Sequence, residues 1–301
     1  MINIEELSRL CEKLGCRITP ECPLSEYVTF RIGGCCRALI SVNSADSVCT
    51  LLRYFRENDI KYFIIGRGSN IIVADEGFDG VVLFFGGDFA KIEVIGNRLK
   101  CQAGASLSSV CVRAQQNSLT GMENLFGIPG TAGGALYMNA GAYGSEMADV
   151  VVSAEYIDEN GELRFISADN MDLSYRHSIF SENNSVITSV SVELKKGSPD
   201  DIRNAMNECM AKRTSKQPLE FPSAGSTFKR PEGSYASLLI EKCGLKGLSC
   251  GGAEVSEKHS GFVINKGFAT CKDVLELCGE VQRIVEEKTG FRLELEPVIL
   301  R

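Results

Sequence analysis

The chain has 301 residues, 44% of them hydrophobic and 24% charged, with a formal net charge of -7. This mix excludes a disordered or fibrous protein, and the acidic balance argues against a nucleic-acid partner, which calls for a basic footprint. The length favours two or three domains over a single core, and no apolar run is long enough to span a bilayer.

In chain order, "MINIEELSRLCEKLGC" has an amphipathic helical pattern and lacks the basic and apolar regions of a signal peptide. A helix is predicted over 43–59 with Ser44 as its N-cap. "KYFIIGRGSNIIVAD" reads as strand, glycine turn, strand, and 80–85 as a further strand. Residues 91–104 form a hairpin turned at Gly96-Asn97, followed by a helix from Ser106 to Asn117. A second hairpin over 150–167 turns at Glu159-Asn160-Gly161, and 185–196 is another strand. Gly197, Ser198 and Pro199 read as a linker. Beyond it come helices from Asp200 to Lys216, near 234–243 and near 270–288, a strand over 261–265, and a last strand "RLELEPVIL". The fold class is α+β: a mixed portion over 1–85, a β-rich middle over 86–196 and a smaller α/β domain over 197–301. Thirteen scattered cysteines without a C-x-x-C pair read as buried free thiols of a reducing, cytoplasmic protein, with no metal site.

Residues 127–144, "GIPGTAGGALYMNAGAYG", hold six glycines and four alanines among eighteen positions. So little side chain cannot fill a core, and glycine weakens helices and strands, so a ligand that needs bare backbone is the expected reason. The P-loop and Rossmann fingerprints are both missing from the chain. What remains is a backbone nest for an anion, in "GRGSN" (66–70) and in "GIPGTAGG" (127–134), with tight turns between strands as the competing reading of each.

"TFRIGG" (29–34), "GRGSNIIVAD" (66–75), "GIPGTAGGALYMNAGAYGSE" (127–146), "SYRHSIF" (174–180), "AGSTFKRP" (224–231) and "LELE" (293–296) follow one another in a single order. That set resembles the UDP-N-acetylenolpyruvoylglucosamine reductase family of bacterial cell-wall flavoenzymes, from about residue 20 to the end. The resemblance implies a PCMH-type flavoprotein fold in which 1–85 and 86–196 hold FAD and 197–301 binds the nucleotide sugar. It implies FAD contacts from Gly66, Gly68, Ser69, Asn70, Ile128, Pro129, Gly130, Thr131, Gly133, Gly134, Asn139, Gly141 and Ala142. The compact chain matches the family's shorter members. It departs from the family pattern at Arg67, Arg230 and Pro297.

The reaction so implied passes hydride from NADPH through FAD to C3 of an enolpyruvyl double bond, so that charge builds at C2 and on the neighbouring carboxylate. Arg176 of "SYRHS" would hold that carboxylate with its planar fork, Ser226 of "GSTF" would protonate C2, and Glu296 would help polarise the carboxylate. Glu294 and Glu296 alternate with leucines and are expected on one strand face; the family's spacing selects Glu296. Pro297 suggests an edge or bulge there. Tyr175, Lys216, Lys229 and Arg230 are expected to contact the substrate, and His177 and His259 at most to position others. No obligatory protein partner is implied. Without the resemblance, Arg176 reads as a surface ion pair and Ser226 as a turn serine. Two further readings remain: an alcohol oxidase of the same flavin superfamily, and a flavin- or nucleotide-sugar-binding protein without activity.

Overall fold

The structure, a computed structural model, describes residues 2–183 and 185–301. The chain divides into two compact units: Met1–Thr19, Ala38–Arg67 and Gly80–Lys212 in one, and Pro20–Arg37, Gly68–Asp79 and Arg213–Arg301 in the other.

In the first unit, helix α1 (Ile4–Leu14) starts where the Asn3 side chain accepts from the Glu6 N–H. It stops at Gly15, whose φ of 66° lets its N–H reach back to carbonyls of the last turn. Helix α2 (Ala45–Glu57) opens on a reciprocal Ser44/Ser47 capping box and buries Val48, Leu51, Leu52 and Phe55 along one stripe. A four-stranded sheet is ordered Arg17–Pro23, Cys35–Ser41, Phe78–Phe84, Tyr62–Ile65, the last two parallel; of these only Tyr62–Ile65 lies wholly in this unit. A five-stranded antiparallel sheet follows, ordered Leu163–Ser167, Val151–Ile157, Val186–Glu193, Arg98–Gln102, Ile92–Ile95. Its central strand is buried on nearly every residue, because helix α3 (Leu107–Gln116) and the short helix α4 (Ala132–Tyr137) belong to the same core. Helix α5 (Pro199–Lys216) buries Ile202, Met206, Cys209 and Arg213, a spacing that places them on one face.

In the second unit, Ile71–Val73 pairs in parallel with Val298–Leu300, and Ser249–Cys250, Ala253–Val255 and Val263–Asn265 form a small antiparallel sheet. Helix α6 (Ala236–Lys242) and helix α7 (Cys271–Thr289) pack with Phe30, Ile32 and Ile72 into its core. The orphan amides that start α7 are well supplied with acceptors. Thr270 and Asp273 form a capping box, and the Asp75 carboxylate accepts from Cys271 N–H at 2.7 Å and Lys272 N–H at 3.0 Å.

Among the differences from the sequence reading, which lacks the strands Arg17–Pro23 and Cys35–Ser41, three concern the linker, the glycine-rich stretch and the last strand. The linker expected at 197–199 is a helix start: the Ser198 hydroxyl and carbonyl accept from Asp201 and Ile202, and Pro199 occupies the first turn, where its missing N–H costs nothing. A helix, α4, stands in the glycine-rich stretch. The last strand is limited to Val298–Leu300, so the sheet face that was to carry Glu294 and Glu296 is absent. Residues 294–296 instead make two hydrogen bonds to Thr227 and Lys229, and Pro297 marks the switch to the Ile71–Val73 partner.

All thirteen cysteines are free and ten are buried; only Cys35 is exposed. Burial pushes the thiols of Cys11, Cys36, Cys101, Cys111 and Cys278 up to about 12. Thiol titration of the native protein with an aromatic disulfide is therefore expected to label Cys35 first, then the half-buried Cys49 and Cys250. The other ten should react only on unfolding, and rapid labelling of buried thiols in folded protein would contradict the packing.

Candidate active site

The glycine-rich stretch begins with chain-to-chain contacts. Ala132 N–H donates to Ala105 O at 2.8 Å and Gly133 N–H to Ala103 O at 2.9 Å, which seats the start of α4 directly on the chain after Arg98–Gln102. A Cβ on Gly133 would stand 2.7 Å from that of Ala103, so only glycine allows this approach. Thr131 caps α4 by accepting from Gly134 N–H. Gly66 of the first loop lies against the same residue: its Cβ would fall 2.5 Å from Thr131 Oγ1. Glycines 66 and 133 are thus bare because protein atoms occupy the space.

Gly130 and Gly134 are different. A Cβ on Gly130 would meet nothing nearer than 4.0 Å, and one on Gly134 only Thr131 Oγ1 at 3.4 Å. Protein packing does not account for their missing side chains. Ile128 and Pro129 complete the loop, half-buried and exposed in turn. Gly141 and Ala142 form a tiny hairpin with Glu146 and Ser145, turned by Tyr143 and Gly144, both at positive φ as a two-residue turn of this type requires.

Asn139 was expected to face a ligand. It is instead completely buried, with Oδ1 accepting from Ala148 N–H at 2.9 Å and Nδ2 donating to Ser174 O at 3.0 Å. That second bond holds the loop 174–177. Ser174 and His177 exchange backbone hydrogen bonds, leaving Tyr175 and Arg176 at the tip. Arg176 has φ 57°, a left-handed conformation that a bulky residue adopts only when its surroundings impose it, and its guanidinium stacks 5.1 Å from the Tyr175 ring centre. His177 braces the loop through Asp172 O at 2.9 Å and the Glu182 carboxylate at 3.0 Å. The buried Ser178 donates to Tyr137 O at 2.6 Å. Sequence reasoning passed over Ser178, for which only its place in "SYRHS" offered a signal.

In the second unit, Gly68 has φ 59°, and its Cβ would stand 2.2 Å from Tyr27 O. Thr29, from a motif without an assigned role, donates from its N–H to Gly68 O at 3.1 Å and from its hydroxyl to Ser223 O at 2.7 Å. Ser69 and Asn70 are half-buried. Asn70 Nδ2 donates to Glu296 O at 3.3 Å, and Asn70 O accepts from Val298 N–H. Glu296 N–H donates to Thr227 O at 3.0 Å, while Lys229 N–H donates to Glu294 O at 2.8 Å. The Glu296 backbone is thus held on both sides, next to the residue that follows the exposed Ser226. Lys229 forms an exposed ion pair with Glu294 at 3.3 Å, Arg230 stacks on Tyr235 at 4.8 Å, and Lys216 is exposed at the end of α5.

An extended nucleotide cofactor fits the unexplained glycine backbone at 130 and 134. Residues 36–167 match the FAD binding domain model, and 217–300 match the model of the C-terminal domain of UDP-N-acetylenolpyruvoylglucosamine reductase. The chain is 47% identical over 283 residues to the UDP-N-acetylenolpyruvoylglucosamine reductase of Clostridium perfringens, covering 94% of this chain and 93% of that one. It is 46% identical over 271 residues to that of Caldanaerobacter subterraneus, covering 90% and 89%. The crystal structure of the Thermus caldophilus UDP-N-acetylenolpyruvylglucosamine reductase is similar at a TM-score of 0.81 and 32% identity, covering 95% of this chain and 99% of that one. Together these define an α+β flavoprotein, an FAD-binding region followed by a distinct C-terminal domain. The chain belongs to the UDP-N-acetylenolpyruvoylglucosamine reductase family.

The two kinds of glycine should respond differently to a methyl group. Gly134→Ala should stabilise the FAD-free protein by up to about 1 kcal/mol, since alanine is the better helix former, yet weaken FAD binding. Gly133→Ala should cost about 1–3 kcal/mol with or without FAD. Thermal unfolding and flavin titration check both; unchanged FAD affinity in Gly134→Ala would contradict the assignment.

The two histidines should titrate on opposite sides of the ordinary 6.5. Hydrogen bonds to Glu182 and the Asp172 carbonyl raise His177, whereas burial lowers His259, whose Nδ1 also accepts from Gly261 N–H. The bracing of the arginine loop by charged His177 is therefore fully present below pH 6.5 and is lost as pH rises through its raised value. Proton NMR of the imidazole resonances reads both, and Glu182→Gln should move His177 back toward 6.5.

Proposed function

We propose that this chain is an NADPH-dependent flavin reductase that converts UDP-N-acetylglucosamine enolpyruvate to UDP-N-acetylmuramate in peptidoglycan precursor synthesis. The observation that carries this reading is the union, in one chain, of the FAD binding domain at 36–167 with the reductase C-terminal domain at 217–300. FAD, when bound, would supply two-electron redox chemistry between NADPH and C3 of the enolpyruvyl double bond.

The chain's own residues supply the rest. Arg176 pairs its fork with the substrate carboxylate and stabilises the charge that develops there and at C2. Glu296 acts on the same carboxylate. Ser226 delivers the proton to C2, so hydride and proton together saturate the double bond and NADPH leaves as NADP+. A serine hydroxyl is a weak acid, so this transfer has to accompany the build-up of charge at C2.

FAD would be held by Gly66, Gly68, Ser69, Asn70, the loop from Ile128 to Gly134 and the turn at Gly141 and Ala142. Tyr175, Lys216, Lys229 and Arg230 would take the nucleotide sugar, Lys229 exchanging Glu294 for a phosphate oxygen. In this scheme 1–85 and 86–196 serve the flavin and 197–301 the substrate. No helix among the described residues is long and apolar enough to cross a membrane. We place the enzyme in the cytoplasm, where its NADPH and nucleotide-sugar substrates occur, acting without nucleic acid or an obligatory protein partner.

Anaerobic stopped-flow absorbance tests the reading. NADPH should bleach the flavin, and the enolpyruvyl nucleotide sugar should restore its colour. In Glu296→Gln the bleach should be unchanged and the recovery slower by about 10²–10⁴-fold. A wild-type flavin that bleaches and does not recover with this substrate would overturn the assigned reaction.

A further inference from the structure

The bonds that hold the arginine loop come from a short piece of the glycine-rich segment. The Asn139 amide donates to Ser174 O on one side of the loop tip, and the Tyr137 carbonyl accepts from the Ser178 hydroxyl on the other. Asn139 and Ser178 are both completely buried, so neither can contact a ligand directly. The orientation of the Asn139 amide is dictated, because Ala148 N–H needs an acceptor and takes Oδ1, which leaves Nδ2 for Ser174. Between the anchored residues Ser174 and Ser178 lie three others, 175–177, with Ser174 and His177 closed by their own backbone hydrogen bonds and Arg176 in the left-handed region.

A left-handed arginine is unfavourable in a free loop, and an ordinary turn would carry its guanidinium elsewhere. The two buried anchors over-determine the backbone on either side and so hold Arg176 in this conformation. We infer that Asn139 and Ser178 are positioning residues that set the direction of the Arg176 guanidinium. They bear no contact with the reacting atoms. This inference rests on the proposed role of Arg176 at the substrate carboxylate. It also gives the second half of the glycine-rich segment a purpose of its own, since helix α4 and the residues after it form the seat of the arginine loop.

The test is a double-mutant cycle on the FAD-loaded enzyme, using Asn139→Asp, Ser178→Ala and Arg176→Ala singly, and each of the first two combined with Arg176→Ala. Asn139→Asp keeps an acceptor for Ala148 and sets a carboxylate oxygen against the Ser174 carbonyl. Ser178→Ala removes one hydroxyl only and serves where the first variant does not fold. Three quantities are read: flavin reduction by NADPH, flavin reoxidation by the enolpyruvyl nucleotide sugar, and calorimetric Kd for that sugar in the absence of turnover.

Each single variant should slow reoxidation about 10- to 100-fold, as displacement of a catalytic group by roughly 1 Å does, with reduction by NADPH changed less than about twofold. In the Arg176→Ala background the same change should add less than about twofold. Equal losses in both backgrounds, or wild-type reoxidation in a folded variant, would overturn the positioning role while leaving that of Arg176 intact. Unchanged reoxidation and Kd in Arg176→Ala alone would instead remove the role of Arg176, and the inference with it.

Discussion

The first unit depends on one close backbone approach. Residues 132 and 133 hydrogen-bond to the carbonyls of Ala105 and Ala103, and position 133 has to be glycine for them to come so near. The residues proposed to be functional in that unit are arranged around this contact. Thr131, just before it, caps α4 and abuts Gly66; Gly130 and Gly134, on either side, leave backbone uncovered; Tyr137 and Asn139, just after it, seat the loop of Arg176. Sheet, glycine-rich loop and the loop of Arg176 are thus linked through one short segment. The glycines do two physically separate things, and sorting them by what a Cβ would meet distinguishes the two.

The second unit fixes its acid in a comparable way, with backbone bonds on both sides. Glu296 donates to Thr227 and its carbonyl accepts from Asn70, while Pro297 has no N–H to offer and the chain changes partner there. A segment pinned at a change of partner can hold one side chain out of the regular alternation. Thr29 adds a further tie, joining Gly68 to Ser223 three residues before Ser226.

Much of this was legible from residues alone. Helix α2 after its Ser44 cap and the long helix α7 fall where the sequence places them, and the Gly96-Asn97 and Asn160-Gly161 turns join the strands expected. Helix α4 was not legible, because each of its first four positions is glycine or alanine, without any apolar period; it forms through the Thr131 cap and its seat on residues 103–105. The alternation in "RLELEP" was misleading for a related reason. Period 2 describes a strand with a single partner, and here the partner changes at Pro297. The motifs mark a candidate site, yet a sequence records that Asn139 is polar and not which way it points. Its burial, and the service of Ser178 beside it, emerge only from tertiary contacts.

The proposal most open to test is that Gly66, at the start of its loop, and the loop at 127–134 border one cofactor seat whose glycines are bare for different reasons. Hydrogen–deuterium exchange of the FAD-loaded and FAD-stripped protein, read by mass spectrometry on peptides covering both loops and 174–178, tests it most directly. FAD should slow exchange in both loops together, with the arginine loop following because it is anchored on the same segment. Protection confined to one loop, or none at 127–134, would contradict the account.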